Sequence, residues 1–115
     1  MKQTFSLKQN HEFRRLYAKG KSAVTPCVAL YCRKTKRGYN RLGLTTGVKL
    51  GKAVQRNRVR RRLREIYRLH EEEFGTGWDL VAVARVRSVH ARYRELERQF
   101  LQCADRLGIR RREEK

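Results

Sequence analysis

Acidic residues are scarce in this 115-residue chain: eleven Asp and Glu stand against thirty Lys and Arg, a formal net charge of +19. Their placement is more uneven than their number. Between Glu12 and Glu65 there is none, although that stretch holds seventeen Lys or Arg. Solvated surfaces ordinarily mix signs, whereas a single-sign block of this length builds a field and repels itself unless a polyanion neutralises it. An arginine-rich coding bias accounts for twenty-one Arg against nine Lys, but not for the missing acids. The charge therefore points to nucleic acid ahead of an acidic membrane surface or an acidic protein.

Other absences narrow the chemistry. The longest apolar run, Leu80 to Ala84, falls far short of the ~20 residues that span a bilayer. Met1-Lys2-Gln3-Thr4-Phe5 has no apolar core of a signal peptide. A cytoplasmic chain is expected, with Cys27, Cys32 and Cys103 as reduced thiols. Those cysteines lack zinc-finger spacing, and there is no glycine-rich phosphate loop. Carboxylates are not grouped for metal or acid–base work: Asp79 stands alone at a strand start and Asp105 on a helix. His11, His70 and His90 are widely separated and read as ordinary surface or interface histidines. No catalytic residue and no bound cofactor is assigned to the chain itself. Its length suits one domain, 1–108, followed by a disordered charged tail, 109–115.

What is present reads as alternating helices and strands. Ser6-Leu7-Lys8-Gln9 has capping-box spacing ahead of Phe13, Leu16 and Tyr17, so a first helix is expected over Leu7 to Lys19, stopped by a left-handed Gly20. Val24, Val28, Leu30 and Cys32 share one parity and Ala29 and Tyr31 the other: a strand with two different faces, Pro26 near its start or on an edge. Arg33 to Arg41 reads as a hairpin connection to a second strand over Arg41 to Thr46. Ala53 to Leu69 is the clearest helix, with Val59, Leu63, Ile66 and Tyr67 on one stripe. Trp78 to Ala84 suits a central strand covered on both faces, and Val89 to Leu107 a last helix ended by Gly108. The predicted fold is α/β (an α+β sandwich), a central mixed sheet with helices in the order α-β-β-α-β-α, with room for a short extra strand near Val48. A strand, a helix and a strand in succession imply a parallel pair with a crossover.

Six of the nine residues from Arg56 to Arg64 are arginine, and Arg56, Arg60 and Arg64 fall on one line of the helix. Guanidinium groups so spaced reach neighbouring phosphates with bidentate hydrogen bonds. Like charges four apart cost stability in the alternative, a merely solvated face. The aromatics admit two readings. Phe13 and Tyr17 suit a core by periodicity, whereas Tyr31, opposite in parity to Val28, Leu30 and Cys32, suits a stacking platform for single-stranded RNA.

The segment Gly43-Leu44-Thr45-Thr46-Gly47-Val48-Lys49-Leu50-Gly51-Lys52-Ala53-Val54-Gln55-Arg56-Asn57-Arg58 closely resembles the signature of the bacterial ribonuclease P protein subunit. Leu7, Phe13, Tyr17 and Gly20 resemble that family's first helix, Leu30-Tyr31 its first strand, and Asp79 to Arg85 the strand after the basic helix, so the likeness covers roughly residues 5–107. The resemblance implies a small α/β sandwich whose βαβ crossover is left-handed, against the ~98% of such units that are right-handed. It implies a catalytic RNA partner that uses Mg2+, and a precursor-tRNA substrate whose 5′ leader is held in a protein cleft. By the same resemblance Phe13, Tyr17, Tyr31, Lys49 and Arg85 match leader-cleft positions. Lys52, Arg56, Asn57, Arg58, Arg60, Arg61 and Arg64 match the surface facing the catalytic RNA. Where the family usually has two basic residues, this chain has Val48-Lys49.

Three rival readings differ in kind. A ribosomal or other structural RNA-binding protein would share the basic helix but has no need of an aromatic groove. A helix-turn-helix DNA binder would place its recognition helix after a tight helical turn rather than within a βαβ unit. A nuclease acting alone would need grouped metal ligands.

Overall fold

The helical stripes and the two-faced strands each need an apolar partner, and the computed structural model, which describes residues 4–110, meets that need by laying helices on both faces of one sheet. The strands are β1 (Thr4–Ser6), β2 (Lys21–Val24), β3 (Val28–Lys34), β4 (Asn40–Thr45) and β5 (Trp78–Ala84). The helices are α1 (Asn10–Lys19), α2 (Ala53–His70) and α3 (Tyr93–Leu107), with short 3-10 turns at Val48–Leu50, Glu71–Glu73 and Val86–Val89.

The sheet order is β1-β4-β5-β3-β2. As its apolar run demands, β5 is central, antiparallel to β3 and parallel to β4, and α2 makes the crossover between that parallel pair. On one face, Val59, Leu63, Ile66 and Tyr67 of α2 and Leu96, Phe100 and Cys103 of α3 pack on Val28, Leu30, Cys32, Leu80 and Ala82. On the other, Leu16 and Phe13 of α1 pack with Leu7 on Val81, Tyr31 and Val83. Tyr31 thus lies on the face its parity assigns. Asn40 closes one end of the sheet. Its Nδ2 donates to Gly75 O (2.7 Å), its Oδ1 accepts from the Trp78 amide (2.9 Å), and the buried Tyr67 hydroxyl lies beside it.

Several local expectations fail, each because a distant partner overrides local chemistry. Residues Ser6 to Gln9 do not form a capping box. Ser6 belongs to β1, which pairs in parallel with the edge of β4, and Gln9 caps α1 without a side-chain hydrogen bond. Gly20 is extended (φ −80°) rather than left-handed; a Cβ there would lie 2.6 Å from Leu16 O and 2.8 Å from Cys32 O, so space and not φ calls for glycine. The stretch from Val24 to Cys32 is not one strand. It turns at Thr25-Pro26-Cys27, where the Thr25 hydroxyl donates to Val28 O (2.9 Å), and β2 returns antiparallel as an edge. Arg33 to Arg41 is no hairpin connection, because β5 inserts between β3 and β4. The stretch near Val48 is a 3-10 turn rather than a strand, with Leu50 buried and Val48 outside. The last helix starts at Tyr93, not Val89, after a 3-10 turn. The tail does not begin at Ile109: Ile109 is buried, and Arg110 pairs with Asp105 (2.8 Å) and Glu73 (2.8 Å). The remainder, 111–115, lies outside the described residues. Gly108 does adopt the left-handed cap (φ 70°).

Candidate nucleic-acid interface

A cleft of about 440 Å³ opens beside α1, with β4 beneath it and α2 as its far wall. Gly43 allows the Phe13 ring to lie directly on the sheet, since a Cβ there would come within 2.4 Å of Phe13 Cε1. Tyr17, near the end of α1, meets Tyr31 of β3 edge-to-face, centroids 4.9 Å apart and planes at 70°. Its hydroxyl lies 3.4 Å from Thr45 Oγ1. Phe13 and Tyr31 are half-buried, but Tyr17 is 41% exposed and offers ring surface to a stacking base.

The arginine line of α2 runs along this cleft. Arg56 Nε donates to Thr46 O (3.2 Å), Arg60 Nη2 donates to Thr46 Oγ1 (2.9 Å), and Arg64 lines the same wall. The Arg60 Nε–H is buried without a hydrogen-bond partner among the described residues, a donor that an anionic ligand would satisfy. Arg60 and Arg64 therefore stand with Phe13 and Tyr17 around the cleft. Lys52, Asn57, Arg58 and Arg61 are exposed. Lys49 is exposed on the 3-10 turn beside Val48, itself 76% exposed, and does not line the cleft. Arg85 does not line it either; its Nη1 donates to Thr25 O (3.0 Å). Thr45 and Thr46 were missed by sequence reasoning. Their only signal was position, at the strand end before Gly47.

Asp79, Asp105 and His70 have structural partners. Asp79 takes a bidentate pair from Arg41 (2.9 and 2.7 Å), and Arg41 also engages Glu12. The Asp79 hydrogen bonds raise the Arg41 pKa, burial opposing and Glu12 adding to it. His70 lies between Glu73 (2.5 Å) and Glu97 (3.0 Å). The three cysteines are free and buried, and burial pushes each thiol up. Among the described residues no three His, Cys, Asp or Glu gather as a metal site.

A mixed sheet carrying an aromatic cleft, an arginine wall and an exposed basic helix defines a small α/β nucleic-acid-binding protein. Comparison with known proteins makes the class specific. The family model described as Ribonuclease P matches residues 1–108. The ribonuclease P protein component of Natranaerobius thermophilus is 39% identical over 101 residues, covering 88% of this chain and 88% of the relative. That of Clostridioides difficile is 37% identical over 107 residues, covering 92% and 94%. The solved RNase P protein of Staphylococcus aureus matches with a TM-score of 0.84 at 25% identity, covering 91% of this chain and 96% of that one. The Thermotoga maritima protein matches at 0.77 with 27% identity, covering 84% and 92%. The chain belongs to the ribonuclease P protein family: it is a protein subunit of the endoribonuclease that processes the 5′ end of tRNA, and its partner is that enzyme's RNA subunit.

Proposed function

We propose that this subunit holds the single-stranded 5′ leader of precursor tRNA in the cleft between α1 and α2, while Lys52, Asn57, Arg58 and Arg61 dock the RNA subunit. The observation that carries this reading is the exposed Tyr17 ring against Tyr31, facing a wall that holds Arg60 with an unpartnered buried N–H. Aromatic faces take bases of any sequence, and guanidinium groups take the phosphates between them. Chemistry falls to the RNA subunit with its Mg2+. Among the described residues no group of His, Cys, Asp or Glu fits such an ion, and the Asp79 carboxylate is engaged by Arg41. The holoenzyme works in the cytoplasm on this reading.

Tyr17→Ala tests it, since Tyr17 is more exposed than Tyr31 and its loss perturbs packing less. The reconstituted holoenzyme should bind precursor tRNA about 1–3 kcal/mol more weakly and mature tRNA unchanged. Equal weakening of both would show that the ring does not contact the leader.

A further inference from the structure

The cleft uses one side of α1, and a second groove of about 550 Å³ opens on the other. Arg15 of α1, Arg33 near the end of β3, and Lys36 and Arg37 in the β3–β4 connection surround it. Its two acids do not balance them. Glu12 and Asp79 both engage Arg41, and Arg37 Nη1 reaches Asp79 only at 3.7 Å. Arg15, Arg33 and Lys36 have no ion-pair partner among the described residues. Uncompensated cations around one groove repel each other unless an anion enters.

A pair of exposed aromatics flanks this groove. Phe5, 59% exposed, meets Tyr39, 37% exposed, edge-to-face with centroids 4.9 Å apart. Phe5 is the β1 partner of Arg41 in the sheet register. Thr4 bonds Tyr67 on the α2 face, so strand alternation turns Phe5 to the α1 face, where Arg41 reaches Glu12. Isolated exposed aromatics are ordinary. An edge-to-face pair of exposed rings beside unpaired cations instead matches a polymer that alternates rings with phosphates, and an acidic protein would make no use of the rings.

The groove lies close to the cleft, on the other side of α1. Arg33, Asp79 and Arg41 form the cross-strand row next to Tyr31, Val81 and Gly43 on the same face, two residues or about 7 Å along the strands. Only α1, roughly 10–12 Å across, separates the two. If the exposed residues of α2 dock the RNA subunit, as proposed above, the groove lies across α1 from the wall that α2 gives the cleft.

We propose that this groove is a second leader site, which grips the nucleotides of precursor tRNA upstream of those in the cleft. It rests on the cleft reading, and leader length separates the two. Holoenzyme binding would be measured for mature tRNA and for precursors with leaders of about five and about fifteen nucleotides. Wild type should bind the long leader more tightly than the short one. Arg33→Ala with Lys36→Ala should abolish that increment, about tenfold, and lower the salt slope by about 1.4, roughly 0.7 for each phosphate of a single strand. Short-leader binding, mature tRNA binding and assembly with the RNA subunit should not change. Tyr39→Ala should weaken the long leader alone, and the charge-keeping pair Arg33→Lys with Lys36→Arg should retain most of the increment. Tyr17→Ala, in contrast, should weaken short and long leaders together. A neutral Tyr17→Ala would sink the cleft reading and not the groove. Equal wild-type affinity for both leaders would overturn the groove proposal. So would a double variant that weakens mature tRNA or RNA-subunit assembly as much as the long leader.

Discussion

At the scale of the residue, neighbours decide what a side chain is for. His70 reads as an unremarkable surface histidine in isolation, yet Glu73 and Glu97 bracket it. Burial opposes its charge, but the hydrogen bonds to Glu97 and Glu73 outweigh it, and the pKa rises above 6.5. The charged form is favoured by folding, so its stabilisation is complete below about pH 6.5 and is lost as pH climbs through the raised value. Thermal unfolding followed across that range should show wild type weakening with rising pH and His70→Gln weakening less; parallel curves would show that the pair contributes nothing. Gly43 makes a steric case. Gly43→Ala would drive a methyl into the Phe13 ring, costing roughly 1–3 kcal/mol of stability and blunting leader binding with it. Denaturant melts would detect the first effect and precursor affinity the second.

At the scale of the element, α2 serves two surfaces and a core. Its apolar stripe is buried under the sheet, its Arg56–Arg60–Arg64 line borders the cleft, and Arg58 and Arg61 face solvent. On the proposed reading, one helix thereby joins the side that docks the RNA subunit to the side that holds the leader. Arg58→Ala with Arg61→Ala should weaken assembly with the RNA subunit, shrink the salt slope by about one per lost phosphate, and leave the melting temperature unchanged. An unchanged slope and affinity would make these two arginines a solvated face. Arg60→Ala should behave differently, because it frees Thr46 and opens the cleft wall: precursor binding should fall more than assembly.

At the scale of the whole molecule, a net charge of +19 is concentrated on a small fold whose scarce acids already hold internal pairs, Glu12 and Asp79 with Arg41, and Glu73 and Asp105 with Arg110. The remaining cations repel. Ligands that bind the folded state alone stabilise it by mass action, so added RNA or another polyanion should raise the melting temperature, and the rise should shrink at high salt. A melting temperature insensitive to polyanion would mean that the charges are too dispersed to matter. The proposal that chemistry falls to the RNA subunit is also tested on the whole molecule. Purified chain free of RNA should not cut precursor tRNA, and specific cleavage surviving nuclease treatment would contradict that.

Charge, helix stripes and the apolar β5 run were legible in the sequence, because each depends on local spacing alone. The missing acids between Glu12 and Glu65 announced a polyanion, Val59 to Tyr67 announced a buried stripe, and the segment from Gly43 to Arg58 carried the family. Tertiary structure decided what depends on non-local pairing. The β4 edge recruited Thr4–Ser6 as a strand where local chemistry favoured a helix cap. The need to bury β5 on both faces and pair both its edges separated β3 from β4, which turned a supposed hairpin loop into the wall of a basic groove. The same packing rotated Arg60 and Arg64 toward Phe13 and Tyr17, and buried Ile109 where a charged tail seemed to begin. Periodicity assigns a residue to a face; only the packed sheet determines what that face meets.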